Sequence, residues 1–237
     1  MKAAAEGTVQ ELKIDGRITL TINGVEYPFR WCPAGAFMLG NEPRHHVTFS
    51  SGFWLLETEV TQGMWESVMG NNASSSKGAN LPVEMVSWYD SQEYIGKLND
   101  LGVAPAGFKF SLPTEAQWEY ACRAGTTTAY CFGDTLEHDK ANFASGKTTE
   151  VGSYPANAWG LRDMHGNVWE WCLDWFWDHP SGAFIDSAEV SLDSGRVIRG
   201  GSWDDLAECC RSAYRGGIDP SIRTDSLGIR LALVRAE

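Results

Sequence analysis

The sequence predicts one α+β domain with short strands, few helices and much loop. Three observations lead there. Residues 18–29 alternate apolar and polar around an Asn-Gly pair, the pattern of a strand hairpin. Three later stretches pair an N-cap residue with apolar positions at helical spacing. Finally, no helical, strand-rich or charge-biased block separates from the rest, and no repeat of solenoid or propeller length is visible. The 237 residues are therefore read as a single unit, 1–237.

Taken in order, residues 1–10 read as a frayed end. Ile18-Thr-Leu-Thr-Ile22 alternates, Asn23-Gly24 turns, and Val25-Glu-Tyr-Pro-Phe29 returns. Residues 1–30 are thus an N-terminal hairpin extension ahead of a core spanning 31–237. Gly35 to Gly40, His45 to Phe49 and Gly52 to Leu56 read as three short strands. Thr61 caps a first helix with Met64, Trp65, Val68 and Met69 at helical spacing. Asn71 to Asn80 is polar and is expected to be a mobile loop. Ser87 caps a second helix carrying Tyr94, Ile95 and Leu98. Thr114 and Gln117 form a capping box for a third, Ala116 to Ala124, which Gly125 stops. Residues 130–160 are turn-rich, and 176–195 read as loop.

The formal net charge is −12. Phosphate backbones repel such a chain, so nucleic acid is not an expected partner. No apolar run is long enough to span a bilayer. No apolar h-region follows Met1-Lys2-Ala3, so no signal peptide is read, and the compartment stays open. The six cysteines, Cys32, Cys122, Cys131, Cys172, Cys209 and Cys210, form no CxxC pair. That argues against a zinc ribbon or thioredoxin-like site. Hydrolase and nucleotide-binding signatures are also missing.

The stretch from Arg199 to Leu231 organises the reading of function. Gly200-Gly-Ser-Trp203 opens it and Gly228-Ile-Arg-Leu231 closes it, with Arg211, Arg215, Pro220 and Arg223 standing between like posts. The residues between the posts follow neither the strand nor the helix period. A fixed frame carrying irregular loops suits a binding or a catalytic surface. Elsewhere, Asp163 and Glu170 flank Gly166-Asn167, an arrangement able to offer carboxylates and carbonyls to a calcium ion. The alternative is a tight turn with Trp169 and Trp171 in the core and Glu170 bonded to backbone. His45-His46, adjacent on a strand, point to opposite faces and read as structural. So do His138 and His165. Glu115 and Glu119 share a helix face, where capping and salt-bridge roles outweigh a catalytic pair.

Together these pieces resemble the formylglycine-generating-enzyme-like family, a branch of the C-type lectin-like fold. Carrying the match are Gly35 to Gly40, Glu59-Val-Thr61, Pro82-Val83 with Val86-Ser-Trp88, Leu112 to Ala121, Gly166 to Trp171, Arg199 to Trp203 and Gly228-Ile-Arg230. The resemblance implies a calcium site at Asp163, the carbonyls of Gly166 and Val168, and Glu170, read as structural. In the family's oxidases two cysteines bind copper(I). Here Cys210 stands at the second position, while Asp205 stands at the first. A carboxylate is a poor ligand for copper(I), which prefers soft thiolates. The chain is therefore read as not an enzyme of that kind.

The C-terminal frame also resembles the variable region of proteins diversified by retroelements, in which mutagenesis of adenines in Asn codons rewrites the residues between fixed posts. An AAC codon so rewritten cannot yield Lys, Gln, Glu, Met or Trp. Those types make up 45 of 237 residues, so about five are expected across Asp204 to Ile229, and only Glu208 occurs. The resemblance implies a non-catalytic, surface-displayed binding protein with a variable region at 199–231. Its ligand contacts would be Asp205, Leu206, Ala207, Cys209, Tyr214, Gly216, Gly217, Ile218, Asp219, Ser221, Ile222, Thr224, Asp225, Ser226 and Leu227. Tyr214, Ile218, Ile222 and Leu227 would supply apolar area, and the aspartates charge complementarity. A protein or cell-surface ligand, a monomeric state, and display at the cell surface or outer membrane as a lipoprotein, anchored through a longer precursor, are expected from the same resemblance. The rival readings are a copper-dependent oxidase of peptidyl cysteine and a calcium-dependent carbohydrate-binding lectin.

Overall fold

The computed structural model describes residues 16–41, 44–176 and 195–236, with the backbone of 184–185. The N-terminal hairpin forms as the alternation predicts, with β1 (Arg17–Ile22) antiparallel to β2 (Val25–Cys32). Asn23 (φ 50°) and Gly24 (φ 81°) make its turn in the left-handed region. The hairpin is built into the main sheet, because β2 continues into register with β5 (Phe53–Leu56), pairing Trp31 with Trp54. The expected boundary at residue 30 therefore falls inside a strand.

The rest of that sheet comes from far along the chain. β12 (Ala232–Arg235) lies between β5 and β6 (Phe108–Ser111), giving the order β1-β2-β5-β12-β6. β5 is buried along its whole length, as an unbroken Phe-Trp-Leu-Leu run requires. Trp54 and Leu56 face one apolar cluster, with Tyr27, Phe29, Trp65 and Tyr94; Phe53 and Leu55 face a second, with Trp118 and Cys122. Two helices serve the first cluster, α1 (Gln62–Met69) and α2 (Trp88–Asp100), and α3 (Glu115–Arg123) serves the second.

All three helices start on the predicted caps. Thr61, Ser87 and Thr114 accept from the backbone N–H three residues on, and Gln117 closes the capping box on α3. The third helix ends at Arg123, one residue short of the predicted end, with Ala124 itself left-handed at φ 44° ahead of Gly125. The polar stretch 71–80 differs from the expected mobile loop. It wraps the buried Gln62 side chain, which donates to the Ser76 and Pro82 carbonyls and accepts from Asn72 and Gly78. A buried amide with all its hydrogen bonds made fixes the loop around it.

Two smaller sheets complete the fold. One joins β3 (Gly35–Leu39), β4 (His45–Phe49) and β8 (Phe184–Ile185) in that order. β8 lies within the stretch expected as loop, the rest of which is largely outside the described residues. The other has the order β10 (Arg215–Ile218), β9 (Arg196–Arg199), β7 (Trp169–Trp175), β11 (Leu227–Gly228). This last sheet carries the 199–231 stretch, whose lack of periodicity reflects two short strands and one 3-10 turn, Ala207–Cys210.

Candidate functional site

Four arginines in or beside the 199–231 stretch each meet a carboxylate from elsewhere in the chain, while Arg211 donates to the nearby Glu208 carbonyl at 3.0 Å. Arg199, fully buried, reaches Glu119 on α3. Arg215 grips Glu115, one helical turn earlier, in two bonds of 2.7 and 2.8 Å. Arg223 takes Asp90 of α2 in the same forked way at 2.7 and 2.8 Å. Arg230, also fully buried, holds Glu170 of β7 through Nε and Nη2 at 2.7–3.0 Å. The planar guanidinium fork matches a carboxylate edge, so each pair fixes orientation as well as distance.

Main-chain bonds hold the segments between the posts. Trp88 N–H donates to Pro220, Met85 to Thr224, Trp169 to Ser226, Ala144 to Asp205 and Ser145 to Trp203, all at 2.8–3.0 Å. The Tyr130 hydroxyl donates to the Ala207 carbonyl at 2.8 Å. Arg199 donates to the carbonyls of Ser212, at 2.8 Å, and Tyr214. A carbonyl accepts a bond whatever side chain it carries, so this mode of attachment places few demands on side-chain identity.

The burial of the fifteen predicted contact residues follows. Leu206, Gly217, Asp219, Ser221, Ile222 and Asp225 are exposed; Asp205, Ala207, Cys209, Tyr214, Gly216, Ile218, Thr224 and Ser226 are half-buried. Leu227 is a correction. It is 1% exposed, sits in the first apolar cluster and pairs with Trp169 across β11–β7, so it packs the core and offers no contact area. Gly216, half-buried, and Gly217, exposed, are both crowded. A Cβ at Gly217 would lie 2.2 Å from the Phe176 ring, and one at Gly216 would lie 2.9 Å from Ile198. Asp205 is half-fixed, its Oδ2 accepting from the Trp169 indole at 2.9 Å and the Ser202 hydroxyl at 2.5 Å.

The structure adds Trp169 and Tyr89, which the sequence reading did not place at this face, beside Trp203 of the frame. Trp169 leans against Tyr214 with ring centroids 6.0 Å apart. Trp203 donates its indole N–H to the Asp225 carbonyl at 3.2 Å. Tyr89, 57% exposed, follows Trp88, whose N–H is bonded to the Pro220 carbonyl. Three exposed or half-buried aromatics beside an irregular loop were the available signal; their proximity across long sequence gaps was not.

The four candidate calcium donors do not fit a cation. Both oxygens of Glu170 are taken, by Arg230 and by the Trp118 indole N–H at 2.6 Å, so a guanidinium already supplies the positive charge there. Asp163 points Oδ2 at the Gly152 N–H, 2.5 Å away. Gly166 and Val168 belong to the turn, where Asn167 (φ 63°) and Gly166 (φ 89°) are left-handed. A Cβ at Gly166 would strike the Asn142 carbonyl at 2.2 Å, which is why glycine stands there. Among the described residues, no group of three or more His, Cys, Asp or Glu is arranged to hold a metal ion.

Burial leaves charge unbalanced beneath this turn. Glu59, Asp163 and Glu170 gather around the buried guanidinium of Arg230, and the partly exposed Arg162 also acts on Asp163. Glu59 Oε2 and Asp163 Oδ1 are buried without hydrogen-bond partners. Burial, reinforced by the neighbouring Asp163, raises the Glu59 carboxyl well above its usual range. Burial likewise pushes Asp163 up to about 6.

Asp205 and Cys210, the pair that the resemblance puts at the oxidases' copper positions, do not fit copper(I) either. The Asp205 carboxylate is committed to Trp169 and Ser202. Cys210 is fully buried with Tyr130, Leu136 and Phe143, and burial pushes its thiol up, away from the thiolate that a soft metal needs. His165 holds this corner together, its Nδ1 against the Cys210 carbonyl at 2.7 Å and its Nε2 accepting from the Cys131 N–H at 3.1 Å.

The sulfatase-modifying factor enzyme 1-like domain matches residues 28–235. Treponema denticola variable protein 1 superimposes with a TM-score of 0.82 and 32% identity, covering 90% of this chain and 97% of that one. PvdO from Pseudomonas aeruginosa gives 0.74 and 28%, covering 98% and 99%. The formylglycine-generating enzyme of Streptomyces coelicolor is 33% identical over 190 residues, which cover 71% of this chain and 57% of the enzyme. The serine/threonine-protein kinase pkn1 of Chlamydia caviae is 38% identical over 165 residues, 65% of this chain but only 24% of the kinase. The chain thus spans about a quarter of pkn1's length.

Proposed function

The chain belongs to the sulfatase-modifying factor enzyme 1-like family, and from that membership and the geometry of residues 199–231 we propose that it is a non-catalytic binding protein. In this reading the C-terminal face is rewritten between alleles by a retroelement and recognises a protein or cell-surface ligand. The observation that carries it is the mode of attachment. The segments between the posts hang on buried arginines and on their own carbonyls, which leaves the side chains of Leu206, Asp219, Ser221, Ile222 and Asp225 directed to solvent. The likeness to Treponema denticola variable protein 1 supports the same reading. Display at the cell surface through a lipid anchor on a longer precursor rests on resemblance to retroelement-diversified proteins. Among the described residues no helix is long and apolar enough to cross a membrane.

The test is a displayed library randomised together at those five positions. Most members are expected to fold, with Tm within about 10 °C of the parent, since surface changes away from special features fall within about 0.5 kcal/mol each. Selection on unrelated protein targets should then yield distinct binders. A library that is mostly unfolded would sink the proposal.

The oxidase reading is favoured by family membership and the formylglycine-generating relatives. It requires copper(I) on Cys210. Our expectation is that the reduced protein takes up no stoichiometric copper(I) in competition with a chromophoric chelator and leaves a cysteine-containing peptide unoxidised. Stoichiometric uptake abolished by Cys210→Ser would reverse the choice.

A further inference from the structure

One sheet edge lacks the protection that such edges usually carry. β3 pairs with β4 along one side, and no described strand or side chain bonds its other side. Natural edges are guarded by charge, proline, a bulge or a cover, because free main-chain groups template a further strand. β6, at the edge of the main sheet, has such a cover: the Asn99 amide donates to the Phe110 carbonyl at 3.0 Å and accepts from its N–H at 2.9 Å. β3 has none of these guards. Gly35-Ala-Phe-Met-Leu39 holds no charge and no proline, its register with β4 runs unbroken over five residues, and Met38 is 42% exposed.

A cleft of about 290 Å³ opens beside this edge and shares no residue with the 199–231 face. Ala36, Phe37 and Met38 line it from β3, and Tyr120 and Trp159 from the elements behind. Phe37 and Tyr120 have ring centroids 5.2 Å apart, and Tyr120 meets Trp159 edge-on at 4.8 Å. Gly35 lets Tyr120 come this close, since a Cβ there would lie 2.4 Å from its hydroxyl. The volume falls just under the range of small-molecule pockets, roughly 300–1,000 Å³, and suits a single side chain. The lining offers no unclaimed charge. Arg123 is bonded through Nε to Glu119 at 2.9 Å and through Nη1 to the Thr128 carbonyl at 3.0 Å, and Arg44 is also engaged. A charged side chain would lose hydration here and meet no free counter-ion, so the cleft selects a neutral one.

We propose that β3 receives an extended, uncharged peptide segment of another protein as an added strand, with one aromatic or aliphatic side chain seated in the cleft. Main-chain hydrogen bonds along the edge supply affinity, and the cleft chooses the side chain. The site lies outside residues 199–231, so a change of ligand at that face leaves it intact.

The experiment is calorimetric titration of the full 237-residue protein with the blocked peptide acetyl-Thr-Val-Phe-Val-Thr-amide. Binding is expected below about 1 mM, and replacing the peptide's Phe by Ala or Glu should weaken it at least about tenfold. N-methylation separates strand addition from a merely apolar contact. An added strand bonds the edge through every second residue. Methylating the Phe nitrogen and methylating both Val nitrogens should therefore differ, one losing at least about tenfold and the other staying within about threefold. Met38→Lys, an exposed change that guards the edge, should weaken the peptide about fivefold or more. Trp159→Ala should weaken it as well, with its Tm checked to confirm a folded protein. Hydrogen exchange should slow in Gly35 to Leu39 when the peptide is added. The proposal is overturned if the peptide does not bind below about 10 mM, if the two methylated peptides bind alike, if Met38→Lys leaves the affinity unchanged, or if exchange slows only elsewhere. It is overturned in favour of a second copy of this chain if self-association protects β3 and the peptide does not compete.

Discussion

Glu170→Ala will destabilise the protein by about 3–5 kcal/mol, the cost of stranding a buried charge. In a chain of this length that corresponds to a fall in Tm on the order of 10 °C. Arg230 is fully buried, and three of its contacts to Glu170 lie at 2.7–3.0 Å. Removing the carboxylate leaves the guanidinium hydrogen-bonded only to the Leu56 and Arg162 carbonyls, with Glu59 and Asp163 as the remaining nearby carboxylates, and it also frees the Trp118 indole N–H. Desolvation of that cation, already incurred on folding, is then compensated by charge without the direct hydrogen bonds to a carboxylate. The double change Glu170→Leu with Arg230→Met separates charge from packing. Replacing both partners by apolar groups should recover much of the loss, as buried pairs often tolerate. Thermal unfolding of the single and double variants measures both. A single-variant loss below about 1 kcal/mol would mean that the pair is solvated and that this account of the frame is wrong.

The posts are graded in what they contribute. Arg230–Glu170 and Arg199–Glu119 are sealed in the core, with side chains 0–1% exposed. Arg215–Glu115 is intermediate, its arginine 20% exposed. Arg223–Asp90 stands in solvent at 46% and 28%, where a pair contributes less than about 1 kcal/mol. The frame is therefore stiff at its base and softer toward the loop from Asp219 to Ser226. That gradient suits a face that must hold its backbone while its side chains change.

Much of the fold was legible in the sequence because it rests on local chemistry. The Asn-Gly hairpin and the three capped helix starts are set within a few residues of each other, and motif order carried the family. The arginine posts were visible as posts, yet their partners were not. Glu115 and Glu119 read as a helix-face pair with a structural role, but nothing local says that Arg199 and Arg215, 80 and 100 residues away, complete them. The partner of the Asp163–Glu170 pair was hidden for the same reason. Asp163 and Glu170 offer oxygens at a plausible spacing, and Arg230, 60 residues later, takes one of them first. Leu227 looked like a loop residue because β11 is only two residues long, too short to show alternation. Glu59 was noticed only as part of a motif. Its role beneath the Gly-Asn turn depends on its bond from Asn167, 108 residues on.

Stability should rise as the pH is lowered from 7.5 to about 5, the reverse of the usual behaviour of ion-paired carboxylates. The cause is the excess of buried carboxylates over guanidinium groups at Glu59, Asp163, Glu170 and Arg230. Asp163 is pushed up to about 6 by burial, Glu59 is raised well above its usual range, and burial also brings Asp174 to about 6. In the unfolded chain such groups titrate near 4. Between roughly pH 4 and 6 the folded state therefore holds protons that the unfolded state has released, and stability is lost as pH rises through that window. Below it the trend turns, because Asp90, with its carboxyl held low by hydrogen bonds from Arg223 and Ser87, loses its stabilising charge. Asp163→Asn is the informative variant. Asparagine tolerates the left-handed φ of 57° at this position, and its side-chain oxygen still accepts from Gly152. It should raise stability at pH 7.5 by on the order of 2 kcal/mol and flatten the slope between pH 7.5 and 5. Calorimetric Tm values for both proteins at the two pH values decide it. A parent protein more stable at pH 7.5 than at pH 5, or an Asn variant with an unchanged slope, would show that Asp163 is ionised at no cost. The charge beneath the turn would then have to be balanced by something other than Arg230.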